Sequence, residues 1–133
     1  MAEPRFLVPK GYGEFMRDTY HYSQGVRVGD LVFVTGQGGW DDAFEIPDDV
    51  GAQIRNAFRN IETVLAEAQL TWADVIDITS YHVGIEESVL ATVVEELRRY
   101  CPDHQPLWTV IGVAALALPA MKVEITANAV ART

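Results

Sequence analysis

Cysteine is nearly absent from the 133-residue chain: Cys101 stands alone, so no intrachain disulfide can form and no cysteine zinc site is available. Basic residues are scarce too, with 10 Lys plus Arg against 19 Asp plus Glu, a formal net charge of −9. Such a balance repels a phosphate backbone, which argues against nucleic acid as a main partner. Long apolar runs are missing at the start. Only Phe6-Leu7-Val8 lies between Pro4 and Pro9, far short of a signal-peptide core or a membrane span, and a cytoplasmic protein without a membrane partner is expected. The three histidines, His21, His82 and His104, are scattered without metal-ligand spacing, so no metal is expected. No Gly-x-Ser-x-Gly elbow, phosphate-binding P-loop or dinucleotide fingerprint occurs.

Apolar residues are plentiful at 49%, with 22% charged, which is enough to build a core in one domain spanning 1–133. Residues 1 to about 20 show no clean period and read as an irregular or strand-like lead-in. Val26-Arg27-Val28 and Leu31 to Thr35 flank Gly29-Asp30, a pair suited to a hairpin turn with positive φ at glycine. From Asp48 the period changes. Val50, Ile54, Phe58, Ile61, Val64, Leu65 and Ala68 recur at three- and four-residue steps, an amphipathic helix ending near Gln69. Thr71-Trp72-Ala73-Asp74 reads as a capped short turn, followed by a strand over Val75 to Val83. A second helix spans about Glu86 to Tyr100, stopped by Pro102.

The run Val110 to Leu116 is too continuous for a strand with one wet face and is expected to be a central strand buried on both sides. In the last strand Val123, Ile125, Ala127 and Ala129 alternate with Lys122, Glu124, Thr126 and Asn128, which puts Glu124 on the face away from the helices. The order β-β-α-β-α-β-β describes an α+β fold, two helices on one face of a mixed sheet, with the other face left to meet another subunit.

Glu124 is the most informative acid. A carboxylate inside an otherwise apolar strand must be solvated, paired across a subunit contact with Lys or Arg, or functional, and a partly buried carboxyl can deprotonate a water. Trp40 and Trp108 are core or interface anchors, or else walls of a ligand cavity.

Several stretches resemble the RidA (YjgF) family: Tyr22-Ser23-Gln24-Gly25-Val26, Val32-Phe33-Val34-Thr35-Gly36-Gln37, the helix with Gln53, Asn56, Ala57, Asn60 and Ile61, and Lys122-Val123-Glu124-Ile125-Thr126-Ala127. The resemblance runs from about Tyr22 to Val130. It implies a chorismate-mutase-like subunit forming a homotrimer with clefts between neighbours, and hydrolysis of reactive enamine or imine small molecules, such as 2-aminoacrylate, to ketoacids and ammonia without metal or organic cofactor. Position by position, Tyr22 matches the tyrosine closing the cleft, Thr35 and Gly36 the strand-end residues lining it, and Glu124 the acid associated with the attacking water.

Two positions depart from the family. Its carboxylate-binding arginine falls at Trp108 and its cleft asparagine at Val94, leaving Trp108 to stack on a flat substrate and the Thr109, Val110 and Ile111 backbone to hold a polar end. The substrate expected from this exchange is apolar or lacks a carboxylate, because an indole cannot replace a guanidinium fork. The alternative is a trimer of the same fold that binds a small molecule or a protein without catalysis. A third possibility, a ribonuclease or translation inhibitor, is disfavoured by the charge.

Overall fold

Asp49 and Asp30 mark the two places where local chemistry starts an element most clearly. The Gly29-Asp30 pair closes a hairpin between β2 (Gly25–Val28) and β3 (Leu31–Gly38), with Gly29 at φ 60° as that tight turn requires. Asp49 caps the long helix α2 (Val50–Glu67) by accepting the Ala52 N–H at 2.8 Å. Replacing Asp49 with Ala should cost about 1 kcal/mol of stability, measurable as a lower urea midpoint with unchanged slope.

In the computed structural model, which describes residues 3–132, three helices pack on a mixed six-stranded sheet ordered β1-β2-β3-β6-β4-β5. The other elements are β1 (Arg5–Leu7), α1 (Tyr12–Tyr20), β4 (Val75–His82), α3 (Glu87–Tyr100), β5 (Leu107–Gly112) and β6 (Val123–Val130). Among the described residues only β4 and β5 run parallel, joined by the α3 crossover. Thr71 and Asp74 form the expected capping box around a 3-10 turn, Trp72–Asp74. No helix among the described residues is long and apolar enough to cross a membrane.

The core lies between α2, α3 and the inward face of the sheet. Ile54, Phe58, Ile61, Val64 and Leu65 of α2 meet Val123, Ile125, Ala127 and Ala129 of β6, all essentially inaccessible to solvent. Phe58 stacks on Trp72 with centroids 4.8 Å apart, and the indole N–H donates to the Phe58 carbonyl at 3.0 Å.

Two expectations change. Residues 5–20 are neither irregular nor simply strand-like: Arg5–Leu7 pairs with β2, and Tyr12–Tyr20 is a third helix. Glu14 reaches back to the Gly11 N–H at 3.1 Å, fixing its first turn. The helix buries only Gly13 and Met16, which is why no apolar period announces it. The run from Val110 to Leu116 is not a central strand buried on both sides. Its first part belongs to β5 at the sheet edge, the chain leaves the sheet after Gly112, and β6 occupies the middle.

The outward face of the sheet is rich in exposed apolar groups, Phe6, Leu31, Phe33, Leu107 and Ile111 among them. Glu124 lies on this side, alternating with the buried Val123 and Ile125 as the sequence pattern requires.

Candidate active site

The register of β3 against β6 shifts between Val34 and Gln37. Val34 faces Ala127 and Gln37 faces Ile125, so Thr35 and Gly36 together oppose Thr126 alone. This β-bulge turns Gly36 toward the glutamate two residues earlier on β6. A side chain at 36 would overlap the carboxyl group of Glu124, so glycine is what leaves that carboxyl its space.

Three amides on α2 hold the surrounding walls. Asn60 Nδ2 donates to the carbonyls of Gly38 and Trp40, each at 2.9 Å, and Asn56 Nδ2 to that of Gly39 at 3.1 Å. Gln53 Nε2 donates to Pro47 and Ala120 carbonyls at 2.9 and 3.0 Å, while its oxygen accepts the Lys122 N–H at 2.9 Å. The exit of β3 and the entry to β6 are thereby fastened to one helix. On the other side, Tyr12 of α1 donates its hydroxyl to Gln37 Oε1 at 2.9 Å, and Gln37 Nε2 donates to Gln24 Oε1 at 2.8 Å. Burial raises the Tyr12 pKa strongly, keeping that donor protonated.

Between these walls lies a cavity of about 290 Å³ lined by Met16, Tyr20, Tyr22, Gly36, Trp40, Phe44, Ala117, Leu118, Met121 and Glu124. Among the described residues its only ionisable carboxyl is that of Glu124, whose side-chain oxygens make no hydrogen bond or ion pair with any other of them. Desolvation raises its pKa. An unpaired, half-buried carboxyl in an apolar hollow can take a proton from a water held against it and hand it on.

Of the sequence-derived site residues, the structure gathers Glu124, Tyr22 and Gly36 at this cavity. Thr35 lies across the bulge in a separate hollow with Phe6, Ser23, Val26 and Phe33. Trp108 and Val94 line a third depression, between the C-terminal end of α3 and β5. There the Trp108 indole donates to Ser80 Oγ at 2.8 Å. Thr109 and Val110 accompany it on β5, and none of these four lines the Glu124 cavity of the same chain. His82, lowered in pKa by burial, contacts the same Ser80 Oγ at 2.8 Å. His104 contacts the Val75 carbonyl at 2.8 Å from a loop, and His21 ends α1 in a left-handed conformation. Among the described residues no group of three or more His, Cys, Asp or Glu could hold a metal.

Sequence reasoning missed Met16, Tyr20, Phe44, Ala117, Leu118 and Met121 as cavity residues. Trp40 was marked only by its type. The signal that was present, Gln53, Asn56 and Asn60 repeating along one helix, marks the framework of the cavity and not its lining.

The model of the family described as endoribonuclease L-PSP matches residues 16–131. A solved structure from Mycobacterium tuberculosis, Rv2704, described as a member of the YjgF/YER057c/UK114 family, superposes with a TM-score of 0.79 at 33% identity, covering 96% of this chain and 99% of that one. This protein belongs to the RidA (YjgF) family. The RutC family protein YjgH of Escherichia coli K12 is 35% identical over 119 residues, 88% of each chain. The 2-iminobutanoate/2-iminopropanoate deaminase of the same strain is 30% identical over 115 residues, 84% of this chain and 88% of that one. The three helices on a mixed sheet match the chorismate-mutase-like fold of these RidA-family neighbours.

Proposed function

We propose that this RidA-family chain hydrolyses a reactive imine or enamine at the Glu124 cavity without a cofactor, with an apolar substrate that lacks a carboxylate. The unpaired Glu124 carboxyl, set by Gly36 and the α2 amides into an apolar hollow, is the observation that carries the reading. Water bound against it attacks the C=N carbon while Glu124 accepts the water proton and returns it to nitrogen, and the new hydroxyl then gives its own proton to nitrogen as the C–N bond breaks and ammonia departs. The deaminase name of one relative supports the reaction class. Among the described residues no Lys or Arg lines the cavity, which supports a substrate without a carboxylate, as does the resemblance that sets Trp108 where the family has its arginine.

A homotrimer in the cytoplasm is part of the proposal. The apolar outward sheet face supports the assembly, and a neighbouring subunit is the route by which Trp108, Thr109, Val110 and Val94 would reach a Glu124 cavity. A small-molecule-binding trimer without catalysis is the second reading, favoured by the lack of any charged lining group besides Glu124. Ribonuclease action stays disfavoured by the net charge of −9.

The test is ammonia release from a matched pair of imines generated in solution, one with an α-carboxylate and one without. Faster release from the second, above the blank rate, is expected. No release from either would leave the binding trimer.

A further inference from the structure

The Glu124 cavity is walled by a chain of aromatic rings, and most of the rings come from predominantly acidic segments. Trp40 lies 5.2 Å from Phe44 and 5.6 Å from Tyr12 between centroids; Phe15 lies 5.7 Å from Phe44 and 6.2 Å from Tyr20. Tyr20, Trp40 and Phe44 of this chain line the cavity, together with Tyr22. The two segments that carry it, 12–20 and 40–46, hold Glu14, Asp18, Asp41, Asp42 and Glu45 against one base, Arg17. Arg17 is engaged by Asp18 at 2.9 Å. Lys122 directly precedes β6 but does not line the cavity.

From the described residues of this chain, an anionic group entering this hollow would meet one carboxyl, no cation and a low-polarity wall, an uncompensated buried charge. A cation meets the opposite arrangement: a carboxylate at one end and electron-rich rings around it, which attract ammonium-type groups. The acidic segments and the −9 chain add long-range attraction for a cation and repulsion for an anion.

We propose that the Glu124 cavity selects imines bearing no carboxylate and binds them as cations, as protonated iminium ions of aryl or alkyl aldehydes and ketones, with Tyr20, Tyr22, Trp40 and Phe44 as the specificity-determining residues. This rests on the imine-hydrolysis reading of the same cavity. An iminium is also the more electrophilic form, so the group that is recognised is the one that reacts. The oxygen of water bonds to carbon as the C=N π pair moves onto nitrogen, and Glu124 takes the water proton and delivers it to that nitrogen. The C–N bond then breaks with its electron pair on nitrogen, and the hydroxyl gives its proton to the departing ammonia. One water is consumed, one carbonyl compound and one ammonium ion form, and nothing is oxidised or reduced. Imines of this class arise by two-electron oxidation of primary amines, which is the type of reaction that would supply them.

The experiment measures equilibrium binding of benzylammonium, benzyl alcohol and benzoate to the intact protein through tryptophan emission, since Trp40 is in the cavity wall. Benzylammonium should bind saturably, with a Kd at least tenfold below those of the neutral and anionic isosteres. Glu124→Gln should weaken benzylammonium about tenfold. Tyr20→Leu, at a residue 58% exposed and so tolerant of exchange, should weaken benzylammonium about threefold more than it weakens benzyl alcohol. Benzoate binding as tightly as benzylammonium, or a Kd for benzylammonium indifferent to Glu124→Gln, would overturn the proposal. Preferential ammonia release from a carboxylate-bearing imine would also overturn it while leaving hydrolysis intact. Cation-selective binding with no release from the imine of benzaldehyde would do the reverse, supporting the selectivity and removing the hydrolysis.

Discussion

Replacing Glu124 with Gln should lower imine turnover by about 10²- to 10⁴-fold, the range for loss of a general acid-base group, while making the folded chain more stable at neutral pH. Both effects come from one feature. Burial raises the Glu124 pKa, so the folded state holds a proton that the unfolded state releases. The wild-type chain therefore loses stability as pH rises from the ordinary carboxylate range through the raised value, and the loss is complete above it. Glutamine has no charge to bury and is free of that loss. Paired thermal melts of wild type and Glu124→Gln at acid and neutral pH test the sign: the curves should coincide in acid and separate at neutrality, with the variant higher. A variant less stable at neutral pH would mean that the carboxylate is held by a favourable partner, contrary to its unpaired state in the structure.

Gly36→Ala should cost nearly as much activity by a different route. Its methyl group would occupy the space of the Glu124 carboxyl, so either the glutamate swings away or the bulge at Thr35-Gly36 shifts. We expect turnover to fall at least tenfold and stability to drop by about 1 to 3 kcal/mol, the usual range for a group forced into a packed site. Turnover and chemical denaturation measured on the same preparation separate this from the Glu124→Gln outcome, where stability moves the other way. An alanine variant with wild-type turnover would show that the close approach of Gly36 to Glu124 is not needed.

What the sequence made legible followed from periodicity and from a few caps. The Gly29-Asp30 hairpin, the 3.6-residue pattern of α2, the Thr71–Asp74 box and the alternation that put Glu124 outward are local signals, and each stands in the structure where it was read. Helix α1 gave no such signal because it buries one glycine and one methionine and is held by a hydroxyl bond from Tyr12 to Gln37, a contact 25 positions away. The exposure of β5 was unreadable for a related reason: strand order is tertiary information, and an apolar run at an edge has the same composition as one in the middle. Thr35 and Gly36 illustrate a finer limit. They are adjacent and both match the family motif, yet the bulge gives Glu124 to the glycine and sends the threonine to another hollow. The aromatic wall required α1 and the 40–46 segment to be brought together, which no spacing in the sequence announces.

The fastening of the cavity by Gln53, Asn56 and Asn60 has a consequence for titration. Carboxamides and the backbone carbonyls they hold carry no charge that changes with pH, so the bonds that set the shape of the hollow are as strong in acid as at neutrality. Glu124 thus changes protonation inside a frame that does not respond to the same protons. The acid side of an activity profile should accordingly fall with unit slope, tracing a single carboxyl.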